Sequence, residues 1–187
     1  MRKVFLMVVS LLAGVGLIGL FPQYLPAAAL KAPTVELQRV EVAHYWSFFL
    51  DTKEKRGSPL DLAFIFTINN PNNVKVMLDD LRFTVEFEPG FEVNTVAVYE
   101  DMYIPPKTTN QLRVHVMFDA YTTLLSLLVT GGFRLQEMNV KAPDQVKMWW
   151  EKVQDFGYEI RVTNGVASFV SDRGEILAHF EGRFPKK

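Results

Sequence analysis

The chain has 187 residues and no cysteine, which excludes disulfides, thiolate metal sites, cysteine nucleophiles and lipoprotein-type N-terminal acylation. Its 20 basic and 21 acidic side chains give a net charge of -1, without the basic excess that neutralises phosphates, so nucleic acid is not an expected partner. Beyond its first 30 residues the chain suits one domain whose core can stand without staples.

Arg2 and Lys3 precede an apolar or small-residue run from Val4 to Phe21, and no charge follows until Lys31. As a helix that run spans roughly 27 Å, close to the hydrocarbon thickness of a bilayer. Residues 1–30 therefore read as a transmembrane anchor with a cytoplasmic N-terminus, and residues 31–187 as an exported, extracytoplasmic domain, periplasmic or cell-surface. Membrane lipid is the first expected partner. Tyr24 falls at interfacial depth, and Gly14, Gly16 and Gly19 give the helix a small-residue side suited to contact with other integral-membrane subunits. A cleaved signal peptide is the competing reading, because Ala27-Ala28-Ala29 follows Pro22 and Pro26 in the pattern a signal peptidase accepts.

From Thr34 onward apolar and polar residues alternate between turn residues, which predicts strands. Thr34 to Leu50 holds one bent strand or two, with a change of phase near Gln38-Arg39 that a bulge would explain. Asp51 to Pro59 reads as a solvated turn. Leu60 to Ile68 is a strand with Leu62, Phe64, Phe66 and Ile68 on one face, followed by Asn69-Asn70-Pro71-Asn72-Asn73. Strands are expected over Val74–Leu78, Leu81–Glu88, Phe91–Val98 and Gln111–Phe118, bounded by turns at Asp79-Asp80, Pro89-Gly90 and Pro105-Pro106. Tyr121 to Val129 is Leu-rich without alternation, and Pro143 to Phe156 places Val146, Trp149, Trp150, Val153 and Phe156 on one helical stripe. Tyr158 to Phe184 reads as three strands divided at Asn164-Gly165 and Asp172-Arg173-Gly174, Asn-Gly being a hairpin signal. The expected fold is mostly β: an Ig/fibronectin-III-like antiparallel β-sandwich with one or two short capping helices, preceded by the transmembrane helix.

Catalytic and metal-binding patterns are not found. His44, His115 and His179 lie on separate predicted strands without ligand spacing, and His115 takes the solvent phase opposite Val114, Val116 and Phe118. The acid pairs Asp79-Asp80, Glu86 with Glu88, and Glu100-Asp101 read as solvated charge, and no phosphate loop or nucleophile elbow occurs. No catalytic residue, metal ligand or cofactor site is expected, and the chain reads as a non-enzyme. Its apolar material gathers in Tyr121 to Phe156, where Leu124, Leu128, Phe133, Trp149 and Trp150 either cover the open end of the sandwich or meet lipid headgroups or a partner's transmembrane helices. The adjacent tryptophans are not expected to both point inward.

The triplet Asn70-Pro71-Asn72 within LDLAFIFTINNPNN, the turn Ile104-Pro105-Pro106-Lys107, and the closing stretch YEIRVTNGVASFVSDRGEILAHFEGRF with its small residue Gly182 resemble the group-2 late-embryogenesis-abundant (WHy, water-stress and hypersensitive-response) domain. The resemblance runs over roughly residues 35–184, and the segment from Phe133 to Phe156 is longer than the family pattern. It implies a β-sandwich, frequently behind one membrane segment, a role in desiccation or stress tolerance, and no catalytic residues. The triplet itself needs only a structural account, since Pro71 fixes φ and asparagine side chains close turns. Three functions stay open: a membrane-anchored protective protein that binds or scaffolds, an accessory subunit of an integral-membrane complex, and a carrier of lipid or another apolar ligand.

Overall fold

A computed structural model describes residues 30–185. The expected anchor, with Gly14, Gly16, Gly19 and Tyr24, lies outside the described residues, and no helix among those described is long and apolar enough to cross a membrane.

The elements in chain order are β1 (Thr34–Tyr45), β2 (Leu50–Asp51), β3 (Arg56–Gly57), β4 (Pro59–Asn69), β5 (Val76–Phe87), β6 (Glu92–Ile104), β7 (Thr109–Asp119), α1 (Ala120–Thr130), α2 (Gly132–Glu137), α3 (Ala142–Lys152), β8 (Ile160–Ser171) and β9 (Gly174–Phe184). Strands β1-β4-β7 form one antiparallel sheet and β6-β5-β8-β9 another, while β2 and β3 make a separate two-residue hairpin. Successive side chains leave the pleat on opposite faces, so burial alternates along the outer strands, whereas Leu62 to Phe66 of β4 and Phe83 to Phe87 of β5 are buried on both faces. Leu62, Phe64, Phe66 and Ile68 of β4 meet Leu81, Phe83 and Val85 of β5 in one core, and Phe83 touches Phe64 and Phe66 at centroid distances of 5.6 and 5.2 Å. Phe66 also meets Phe180 of β9 edge-on at 5.5 Å. Each such fully buried side chain contributes about 1.5–3 kcal/mol. At one margin β9 closes on β1 through Gly182, where a Cβ would stand 2.5 Å from that of Leu37.

Three predicted features change or sharpen in the folded chain. The phase change in β1 is a bulge, with Gln38 skipped between the pairs Leu37–Phe66 and Arg39–Ile65. Asp79-Asp80 is not a turn: Asp79 is an extra residue against β8 inside the single strand β5. Asn164-Gly165 is likewise not a hairpin turn, because Asn164 takes φ 52° in a bulge of β8, so the last region has two strands and not three. The local signal is genuine, since both sites leave regular geometry, but strand pairing on both flanks carries the chain straight on.

The antiparallel order gives the sandwich two distinct ends. At the leading end stand the start of β1, the Asn70-Pro71-Asn72 turn, the Pro105-Pro106 turn and the β8–β9 turn. At the opposite cap end stand the β2–β3 hairpin, α1, α2 and α3.

Candidate functional site

At the leading end, Asn70 is completely buried. Its Nδ2 donates to the carbonyls of Val74 (2.9 Å), Ile104 (3.2 Å) and Pro105 (3.1 Å), and its Oδ1 accepts from Asn72 N and Asn72 Nδ2 at 3.0 and 3.1 Å. One side chain therefore ties the β4–β5 turn to the β6–β7 turn. Asn72 in turn grips the incoming chain, its Oδ1 accepting from Lys31 N and its Nδ2 donating to Lys31 O, both at 2.8 Å. That pair imitates a strand rung and fixes where the chain enters the domain. Lys107 completes the turn, with N donating to Asn72 O at 3.1 Å and Nζ to Pro71 O at 2.6 Å. The polar side-chain atoms of the triplet face backbone and one another, an arrangement that positions chain.

At the cap end, Asp119 is the N-cap of α1, accepting from the amides of Tyr121 and Thr122. Gly57 lets the hairpin lie against that first turn, since a Cβ there would stand 2.5 Å from Tyr121 N. Trp149 and Trp150 are both fully buried, which corrects the expectation that adjacent tryptophans cannot both face inward. Buried Gln145, Val146, Trp149, Trp150 and Val153 span about 140° of the helix at ~100° per residue, wide enough to enclose two neighbours. Trp149 packs on Phe87, Phe91 and Tyr158. Neither tryptophan can meet lipid or a partner while the domain is folded, and Leu124 is buried with them. Of the candidate contact residues on the domain, Leu128 and Phe133 are at the surface, joined there by Val129, with Phe133 88% and Val129 85% exposed.

The sequence reading also missed two carboxylates. Glu86 and Glu88, expected in solvent, are both engaged: Glu86 is buried beside Arg161 and Thr163 of β8, pairing with Arg161 at 3.5 Å and accepting from Gly90 N at 3.1 Å. Glu88 Oε2 accepts from Gln145 Nε2 at 2.7 Å and Trp149 Nε1 at 2.9 Å. Nearby, burial foremost and then the charge of Glu88 hold the Tyr158 phenol well above its ordinary value. The two carboxylates do not share a face: β5 ends at Phe87, and Glu88 takes φ 63° just beyond it, which brings its carboxyl to α3 while Glu86 stays beside β8.

The remaining candidates stay apart. His115 lies on the outer face of the first sheet, its Nδ1 2.9 Å from Asp61 Oδ2, beside a surface network in which Arg113 and Arg39 hold the Glu41 carboxyl below its ordinary range. Exposed ion pairs of this kind add little stability. Among the described residues no group of three or more histidine or acidic side chains is placed to hold a metal ion.

No protein-family model matches the chain, and no curated protein matches it by sequence. In structure it is similar to AT1g01470 from Arabidopsis thaliana, solved in solution, with a TM-score of 0.52 at 10% identity over 83% of this chain and 81% of that one. The two share a fold. Other matches are a protein described as late embryogenesis abundant (LEA), At2g46140.1, at TM-score 0.42 and 10% identity over 83% and 72% of the two chains, and a protein from Archaeoglobus fulgidus at TM-score 0.40 and 14% identity over 85% and 98%.

Proposed function

We propose that this is a non-catalytic, membrane-anchored β-sandwich protein of the stress- and desiccation-protective kind, acting by weak binding or scaffolding. The observation that carries this reading is the Asn70-Pro71-Asn72 turn: the motif of the resemblance is built as a buried brace at the leading end of a fold shared with AT1g01470. We read the strand order as Ig/fibronectin-III-like, the N-terminus as cytoplasmic and the domain as extracytoplasmic on a single-pass anchor.

Drying a labile dehydrogenase with the full-length protein tests the proposal. More activity should survive than with an equal mass of albumin, and equal survival would overturn the protective role. A second reading, an accessory subunit of an integral-membrane complex, is favoured by Leu128, Val129 and Phe133 standing exposed on adjacent helices. Stable integral-membrane companions in a mild-detergent purification would select it. The carrier reading has less support, because Phe64, Phe66, Phe83 and Phe180 fill the space between the sheets.

A further inference from the structure

We infer that the leading end of the sandwich is a docking face for anionic lipid headgroups, an inference that rests on the membrane-anchored reading above. Lys31, Lys75, Lys107 and Arg173 all belong to this tip and all are exposed. Against them stand Asp172 and, one position into β9, Glu175. The rest of the domain has the opposite sign: with Arg2, Lys3, Lys186 and Lys187 set aside, residues 30–185 hold 16 basic and 21 acidic side chains, and without the tip's four basic and two acidic groups 12 face 19, a balance of -7. A positive tip on a negative body is a charge dipole that turns the tip toward a negative surface and the body away from it.

The path of the chain points the same way. The apolar run ends at Phe21, ten residues before Lys31, so a linker of at most about 36 Å joins it to this end. Asn72 holds Lys31 by both backbone groups, so the tip that faces the origin of the linker is fixed and not one of several orientations. Tyr103, with Lys75 Nζ 5.2 Å over its ring, adds an exposed aromatic beside the basic groups, the pairing suited to a headgroup layer. The helices of the cap sit at the far ends of strands 11 to 13 residues long, roughly 36 Å away at about 3.3 Å per residue. With the tip on the bilayer, Val129 and Phe133 face outward, away from the lipid.

The test uses the full chain reconstituted into vesicles of phosphatidylcholine alone and of phosphatidylcholine with phosphatidylglycerol. A membrane-impermeant acylating reagent labels lysines, which are read by mass spectrometry, with Lys53 and Lys55 beside the cap-end hairpin as reference. Labelling of Lys31, Lys75 and Lys107 relative to that reference should fall about fivefold or more on the anionic vesicles, the factor to which about 1 kcal/mol per basic residue near the surface corresponds. Molar salt, where the Debye length shrinks to about 3 Å, should restore it. The double variant Lys75→Glu, Arg173→Glu should restore labelling of Lys31 and Lys107 without salt. Equal relative labelling on both lipids, or protection of Lys53 and Lys55 to the same extent, overturns the proposal. Flotation separates it from the anchor: a chain that floats with both vesicles and labels alike on both keeps the anchor and loses the tip, whereas one that floats with neither loses both.

Discussion

Asn70 commits every polar atom of its side chain to the backbone and to Asn72 around it, and that sets what its replacement costs. Asn70→Ala leaves the carbonyls of Ile104 and Pro105 and the amide of Asn72 without these partners in a buried setting, and each such orphan costs about 1–3 kcal/mol. A loss of about 3 kcal/mol in urea unfolding is expected, and Asn70→Asp should do no better, because a carboxylate presents an acceptor where three carbonyls need a donor. A loss under about 0.5 kcal/mol would mean that the brace carries no strain-bearing role in the turn. Tyr158 makes a different prediction. Its phenol titrates near 10 when unfolded and higher when folded, so its contribution is fully present below about pH 10 and is lost as pH rises beyond that. Tyr158→Phe should therefore flatten the fall in urea midpoint above about pH 10 and change stability near neutrality by less than about 1 kcal/mol, since the hydroxyl has no hydrogen-bond partner among the described residues. A fall of unchanged steepness in the variant would assign the alkaline loss to other groups.

The elements show which local signals survive folding. The hydrophobic alternation of β4 and the stripe of α3 were legible because burial on one face dictates a period, whatever the partner. Asp79-Asp80 and Asn164-Gly165 were misread because a turn residue says only that the backbone departs from regular geometry; whether it reverses or bulges depends on neighbours distant in sequence. Trp150 and Glu88 were misread because their cover comes from elements whose docking no local pattern encodes. Glu88 links two of those elements directly, joining the end of β5 to α3 through Gln145 and Trp149. Glu88→Gln keeps an oxygen acceptor for the two bonds and loses the charge assistance, so a cost of about 1 kcal/mol is expected; Glu88→Ala removes the acceptor of both bonds and should cost about 2–3 kcal/mol. Hydrogen exchange should quicken in α3 before it does in β4 or β8 in the alanine variant. Uniform quickening across all strands would show instead that Glu88 supports the sandwich as a whole.

In the whole molecule the decisive question is whether the cap is a separate module or part of one core. Trp149, Trp150, Val146 and Leu127 belong to the same continuous cluster of buried side chains as Phe64, Phe83 and Phe169 of the two sheets. The link runs through Phe87, which touches Phe118 at 5.0 Å, Trp149 at 5.5 Å and Tyr158 at 5.4 Å, so one ring contacts the first sheet, the helix and the second sheet's approach. Removing the cap would bare that ring and the inner ends of β5 and β7, and a fully buried Phe or Trp lost to Ala costs about 3–5 kcal/mol. Partial unfolding of the cap alone is therefore as costly as a large part of the stability of a domain this size, about 5–15 kcal/mol, and the two should unfold together. Tryptophan fluorescence reports the cap once exposed Trp46 is replaced by Phe, leaving buried Trp149 and Trp150. Far-ultraviolet circular dichroism reports the sheets. In urea the two signals should give one midpoint, and Phe87→Leu should shift both equally. A fluorescence transition that precedes the loss of sheet signal would make the cap an independent unit, free to open its apolar interior, including both tryptophans, to a partner.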